Sequence, residues 1–235
     1  MAHRKVVSII TQTLVDRFDP ALREHTKPIG PFYSRASAAK LRRKRGYVFK
    51  KVRSEEPSFR RVVSSPDPIV VVESAVIRDL IEDGVTVIAC GGGGVPVIRY
   101  KGGLEGVDCV IDKDLAARRL AASVDADLLL ILTDVEKVKL NFSEPNERQL
   151  DRLSLREAKE LLSSGCFMEG SMAPKVRACV GFIEDGGDKA IITSVENGVR
   201  AVVNGHTGTH FVREMGEPVL LSRHLSFSKK RGRRK

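Results

Sequence analysis

The sequence has 235 residues, 42% apolar and 30% charged, with no Trp and 5% aromatics, so a soluble domain with a core of Val, Ile, Leu and Ala is expected, which suits a buried, mostly parallel sheet. Net charge is +10, yet residues 229–235 (KKRGRRK) carry +6 and residues 35–61 carry +9, which leaves the remaining chain mildly acidic at −5. No stretch approaches the ~20 apolar residues of a membrane span, and the opening apolar run is too short for a signal peptide; the reading is a soluble, cytoplasmic protein.

Residues 6–10 (VVSII) read as a short buried strand. From residue 18 to residue 68 the pattern breaks. This stretch holds six prolines, with the basic run in its middle. It reads as an inserted subdomain bounded by PIGPFY and SSPDP, with a short helix at 36–44 and strands at 47–51 and 60–63.

After Pro68 the rhythm is α/β. Strands are expected at 69–72, 85–90, 107–111, 127–132 and 189–194. Helices are expected at 74–83, 113–124, 154–163, 171–185 and 195–203. Ser154 and Glu157 form the capping-box spacing at the start of the fourth helix of the chain's inventory. Strands alternating with helices of this length imply a parallel sheet covered on both faces. No internal repeat is present.

The cysteines, Cys90, Cys109, Cys166 and Cys179, are spaced by 19, 57 and 13 residues, which fits neither zinc nor redox motifs. Reduced, partly buried thiols are the expectation. None of the five His has metal-ligand spacing, and no nucleophile–His–acid arrangement can be argued.

Three loops carry chemistry. Gly91, Gly92, Gly93 and Gly94 follow an expected strand, where consecutive glycines bring backbone N–H groups close to an anion. No Walker Lys follows, and Pro96 stands where a dinucleotide fingerprint needs glycine, so a plain flexible turn is the competing reading. Asp112, Lys113 and Asp114 sit between a strand and a helix, where Lys113 would face a phosphoryl group and Asp114 would pair with lysines. The alternative is an acid-rich helix start. Gly170, Ser171, Met172 and Lys175 open another helix, with Ser171 as a candidate N-cap and Lys175 beside the helix start. Thr133 and Asp134 end the apolar strand on the same rim, and Lys27 precedes a proline at the start of the insertion.

Taken together, TQTLVD (11–16), TKPIGPFY (26–33), RRVVSSPDP (60–68), VIACGGGGVPV (87–97), VIDKDLA (110–116), LLILTDV (129–135), GSMAPKV (170–176) and TGT (207–209) resemble carbamate kinases of the amino acid kinase family. The order and spacing hold across residues 6–212. The resemblance implies a three-layer αβα sandwich with a mostly parallel sheet, usually dimeric. It implies phosphoryl transfer between carbamoyl phosphate and ADP, giving ATP and carbamate, with Mg²⁺. Lys113 and Lys175 would contact the transferred group, Asp114 would organise them, and Lys27 would close over the substrate from a lid at 18–68. Thr133, Asp134, Gly170, Ser171 and Met172 would lie along the nucleotide.

The family's GGNA and HGNGPQVG loops do not occur in the sequence, so the reading is an amino-terminally truncated kinase domain over 1–212, followed by a basic, disordered tail at 213–235. Activity is then expected to depend on a separate amino-terminal fragment. The competing reading is a non-catalytic remnant that binds nucleotide or a partner. Nucleic acid binding ranks below both, because the basic segments lack interleaved aromatics.

Overall fold

A computed structural model describes residues 5–142, 144–203, 205 and 207–214. The tail expected at 213–235 lies outside them from residue 215 onward.

The chain opens with β1 (Val6–Ser8) and β2 (Gln12–Val15). It then leaves the body to form β3 (Lys27–Tyr33), α1 (Arg35–Arg45), β4 (Val48–Lys51) and β5 (Phe59–Val63). These three strands make an antiparallel sheet in the order β3-β5-β4, on which α1 packs. The prolines at 28 and 31 hid β3 from a sequence reading. They are accommodated because β3 is an edge strand, where a missing N–H breaks no ladder on the free side.

The body resumes with β6 (Pro68–Val71), α2 (Ser74–Glu82), β7 (Thr86–Ile88), β8 (Val95–Tyr100) and β9 (Gly103–Gly106). β1 pairs parallel to β7 and β2 parallel to β8, while β6 and β9 add antiparallel at the edges. The strand expected at 107–111 is absent. Lys101 and Gly102 both take positive φ (46° and 82°), which folds β8 straight back into β9 as a two-residue hairpin. Residues 107–111 then run as an irregular segment, tied by Val107 N–H to Pro96 O and by Val110 N–H to Ser64 O.

The second half contains α3 (Lys113–Ser123), β10 (Leu128–Thr133), β11 (Val138–Leu140), β12 (Arg148–Leu150), β13 (Arg152–Ser154), α4 (Leu155–Ser163), α5 (Met172–Glu184), β14 (Lys189–Ser194), α6 (Gly198–Val203) and β15 (Thr209–Val212). The sheet order is β10-β14-β15-β13, parallel at β10–β14 and β13–β15 and antiparallel at β14–β15. Alternation along β10 sorts its two faces. Leu129 and Ile131 enter a core with Val176, Cys179 and Ile183 of α5. On the other face Leu130 and Leu132 meet Gly198 of α6. Helices on both faces make the αβα layering expected from the sequence. A smaller core joins Val15, Val71, Ile77, Ile111 and Ala116 under α2 and α3.

Candidate functional site

The site is built around the first turn of α3. Asp112 is its N-cap: one carboxylate oxygen accepts the N–H groups of Asp114 (2.9 Å) and Leu115 (3.4 Å). The other oxygen accepts the Lys27 ammonium, which β3 carries in from the inserted unit. Burial pushes the Asp112 carboxyl upward, but the Lys27 hydrogen bond and charge and the two N–H groups outweigh it, so it lies below the ordinary carboxylate range. Two residues on, Asp114 accepts Lys175 of α5 at 2.8 Å, with both side chains largely buried.

Lys27, Lys113 and Lys175 converge on one cavity of about 310 Å³, whose wall also includes Gly92, Asp114 and Thr133. Lys113 is exposed to it and has no ion-pair partner among the described residues. The cavity therefore holds three ammonium groups against two carboxylates, with one cation uncommitted. That is a site for an anion.

The glycine run divides its tasks. Gly92 lines the cavity at φ 68°, with nothing within 4 Å of where a Cβ would stand. Gly93 and Gly94 do not line it, contrary to the sequence expectation. Their N–H groups bond back to Cys90 O and Gly91 O within the turn. A Cβ on Gly93 would lie 2.6 Å from Ile111 O, and one on Gly94 2.5 Å from the Thr13 hydroxyl. These two glycines allow the turn to seat on β2 and on the segment before α3. Thr13 locks it further by donating to Gly93 O at 2.7 Å.

At the start of α5, Gly170 and Ser171 border the same cavity. Ser171 stands at the N-cap position of α5, but its side chain makes no cap hydrogen bond; its backbone there has φ −132° and ψ −89°. Thr133 and Ser171 are shared with a second cavity of about 260 Å³, whose wall includes Asp134, Met172, Phe142 and Met168. A cationic chamber thus meets a more apolar one at Thr133 and Ser171. Two lysines on its rim, Lys137 and Lys139, are held by Asp151 and Glu147, each at 2.6 Å.

Ten of the thirteen residues singled out from sequence meet at these two cavities: Lys27, Gly92, Lys113, Asp114, Thr133, Asp134, Gly170, Ser171, Met172 and Lys175. Gly91, Gly93 and Gly94 are not on either wall. Sequence reasoning missed the dual role of Asp112, which looked like a simple helix start. It also missed Phe142 and Met168, which lie outside any motif and reach the site only through tertiary folding. No cluster of three metal-ligating side chains occurs among the described residues. All four thiols are unpaired, and burial first, then nearby Asp108 and Asp19, pushes Cys109 up to about 11.

The model of the amino acid kinase family matches residues 5–194. The carbamate kinase of Thermococcus kodakarensis is 47% identical over 211 residues, covering 90% of this chain and 66% of the relative. That of Clostridium perfringens is 44% identical, covering 89% and 66%. Among solved structures, carbamate kinase from Giardia lamblia bound to AMP-PNP aligns with a TM-score of 0.76 at 40% identity, over 90% of this chain and 66% of that one. The same protein bound to citric acid aligns with a TM-score of 0.81. The chain spans about two thirds of the length of the curated relatives it matches.

Proposed function

The chain belongs to the amino acid kinase family, and from that premise we propose that it carries out reversible phosphoryl transfer between carbamoyl phosphate and ADP, yielding carbamate and ATP. The observation that carries this reading is the cationic chamber of Lys27, Lys113 and Lys175, which shares Thr133 and Ser171 with a second, more apolar chamber of about 260 Å³. Similarity to carbamate kinases at 44–48% identity supports this substrate pair.

In this mechanism a β-phosphate oxygen of ADP attacks the phosphorus of carbamoyl phosphate, and the carbamate oxygen leaves. Such transfer needs little covalent chemistry from the protein and much charge placement. Lys113 meets the negative charge spread over the transferred group, with no ion-pair partner among the described residues. Lys175 does so from the first turn of α5, held in place by Asp114. Lys27 covers the small substrate from the inserted unit, which serves as a lid. Gly92 gives the phosphoryl group close access to the backbone. Thr133, Asp134, Gly170, Ser171 and Met172 follow the nucleotide outward, toward Phe142 and Met168. Mg²⁺ would arrive with the nucleotide phosphates; Asp134 is the exposed carboxylate on that path, while Asp112 and Asp114 are engaged by lysines. A homodimer is part of this proposal, as is a cytoplasmic setting.

The test is ATP formation from carbamoyl phosphate and ADP. Because neither GGNA nor HGNGPQVG occurs in the 235 residues, the assay is run with the chain alone and with a co-expressed segment bearing both loops. Turnover in the second arm is expected. No turnover in either arm, with both polypeptides folded, contradicts the reading.

A further inference from the structure

The 27–63 unit is joined to the body by two stems. On the outgoing stem, Ser64 O accepts Val110 N–H at 3.0 Å, and the Ser64 hydroxyl donates to Leu22 O at 3.0 Å. On the incoming stem, Lys27 donates to Asp112. The next residue, Pro28, lies 3.0 Å from where a Cβ on Gly170 would stand, so β3 rests directly on the loop before α5. The two oxygens of Asp112 thus do different work. One caps α3, and the other receives the ammonium that the inserted unit delivers.

We propose that Asp112 is a positioning residue that docks the inserted unit through Lys27 and so holds Lys27 at the anion chamber. Its consequence for catalysis rests on the phosphoryl-transfer reading; the docking itself does not. The charge-assisted bond is the stronger kind, roughly twice a neutral one. Asn is about as good an N-cap as Asp. Asp112→Asn therefore removes the charge while leaving α3 capped, which separates docking from folding.

The measurement is the distance distribution between spin labels on Arg43→Cys in α1 and Glu160→Cys in α4, both exposed positions, with the exposed Cys166 replaced by Ser. Orthophosphate and ADP dissociation constants are read on the same proteins. The parent should give one narrow distribution. Asp112→Asn and Lys27→Met should each broaden it toward longer distances, and the double variant should broaden it no further. Both single variants should weaken orthophosphate about tenfold while ADP stays within twofold. Asp112 could instead merely compete with the anion for Lys27. Asp112→Asn would then leave the distances unchanged and tighten orthophosphate, and that result overturns the proposal. Failure of the parent to bind either ligand would strike the phosphoryl-transfer reading instead, and the label distances would still decide the docking claim.

Discussion

At the residue scale the three lysines are not equivalent. Lys175 is paired with a largely buried Asp114, whereas Lys113 has no carboxylate partner among the described residues. Removing Lys175 strands a buried carboxylate, which costs about 3 kcal/mol or more. Lys113→Met strands nothing. It should melt with the parent yet lose about 10²–10³ in kcat in an assembled, active enzyme. Activity within threefold of the parent would remove Lys113 from the mechanism. Lys113→Arg should also be impaired, since a planar fork does not replace a compact charge.

A second residue-scale expectation concerns His210, buried on β15. Its Nε2 donates to Thr207 O at 2.9 Å, and its Nδ1 is buried without a hydrogen-bond partner among the described residues. Burial holds its pKa down against the pull of Thr207, and the charges of Lys189 and Arg152 add to the depression. The unfolded chain, with His near 6.5, then binds more protons than the folded one below that pH. Stability contributed by neutral His210 is complete above about pH 6.5 and declines as the pH falls through it. Melting temperature should drop between pH 7.5 and 5.5 in the parent, and less in His210→Gln. Equal drops would show that His210 is not the titrating group.

At the scale of elements, the glycine turn after β7 gives the sharpest contrast. Gly93→Ala forces φ 102° on a residue with a Cβ and drives that atom into Ile111. It should destabilise by at least about 2 kcal/mol. Gly92→Ala meets no atom and carries only the left-handed penalty of about 1 kcal/mol. It projects into the chamber instead, so it should weaken phosphate binding more than it lowers the melting temperature. Thermal melts together with orthophosphate titrations check both; the reverse ranking would contradict the division of labour. The α4 capping box is a simpler case. Ser154 accepts Glu157 N–H at 3.2 Å, and Glu157 accepts Ser154 N–H at 2.9 Å, so Ser154→Ala should cost about 1 kcal/mol in denaturant unfolding.

The same elements show what a sequence can disclose. Helices with an apolar face, and the apolar strands 128–133 and 189–194, were legible because periodicity and end signals agree there. The capping box was readable because it is local. The hairpins β8–β9 and β11–β12 were not, since short strands of three to six residues carry little pattern and the first is closed by a non-glycine residue, Lys101, at positive φ. β3 was obscured by prolines that only its edge position permits. In the site, charged residues within motifs were legible. Phe142 and Met168 were not, because the fold alone brings them to the chamber.

At the scale of the molecule, one group of exposed apolar residues shares the β1–β7 pair and α2. Val6 (61% exposed) and Ile88 (58%) stand on the paired strands β1 and β7, and Val76 (58%) and Ile81 (43%) stand on α2, which packs on β7. A groove of about 230 Å³ lies alongside, lined by Ile77, Ile81, Val87, Leu120 and Val124. Such surface is sticky in water. The 235-residue chain should self-associate with rising concentration in sedimentation experiments, and Ile88→Lys should raise the monomer fraction without lowering the melting temperature. A parent that stays monomeric at high concentration would refute this.

The central proposal is that the two cavities sharing Thr133 and Ser171 form the nucleotide and phosphoryl site. A crystal structure of the chain with a non-hydrolysable ATP analogue and Mg²⁺ tests this most directly. The terminal phosphate should lie within hydrogen-bond distance, about 2.7–3.2 Å, of Lys113 and Lys175, with the base against Phe142 and Met168. Phosphates bound away from both lysines, or a base outside the second chamber, would contradict the assignment.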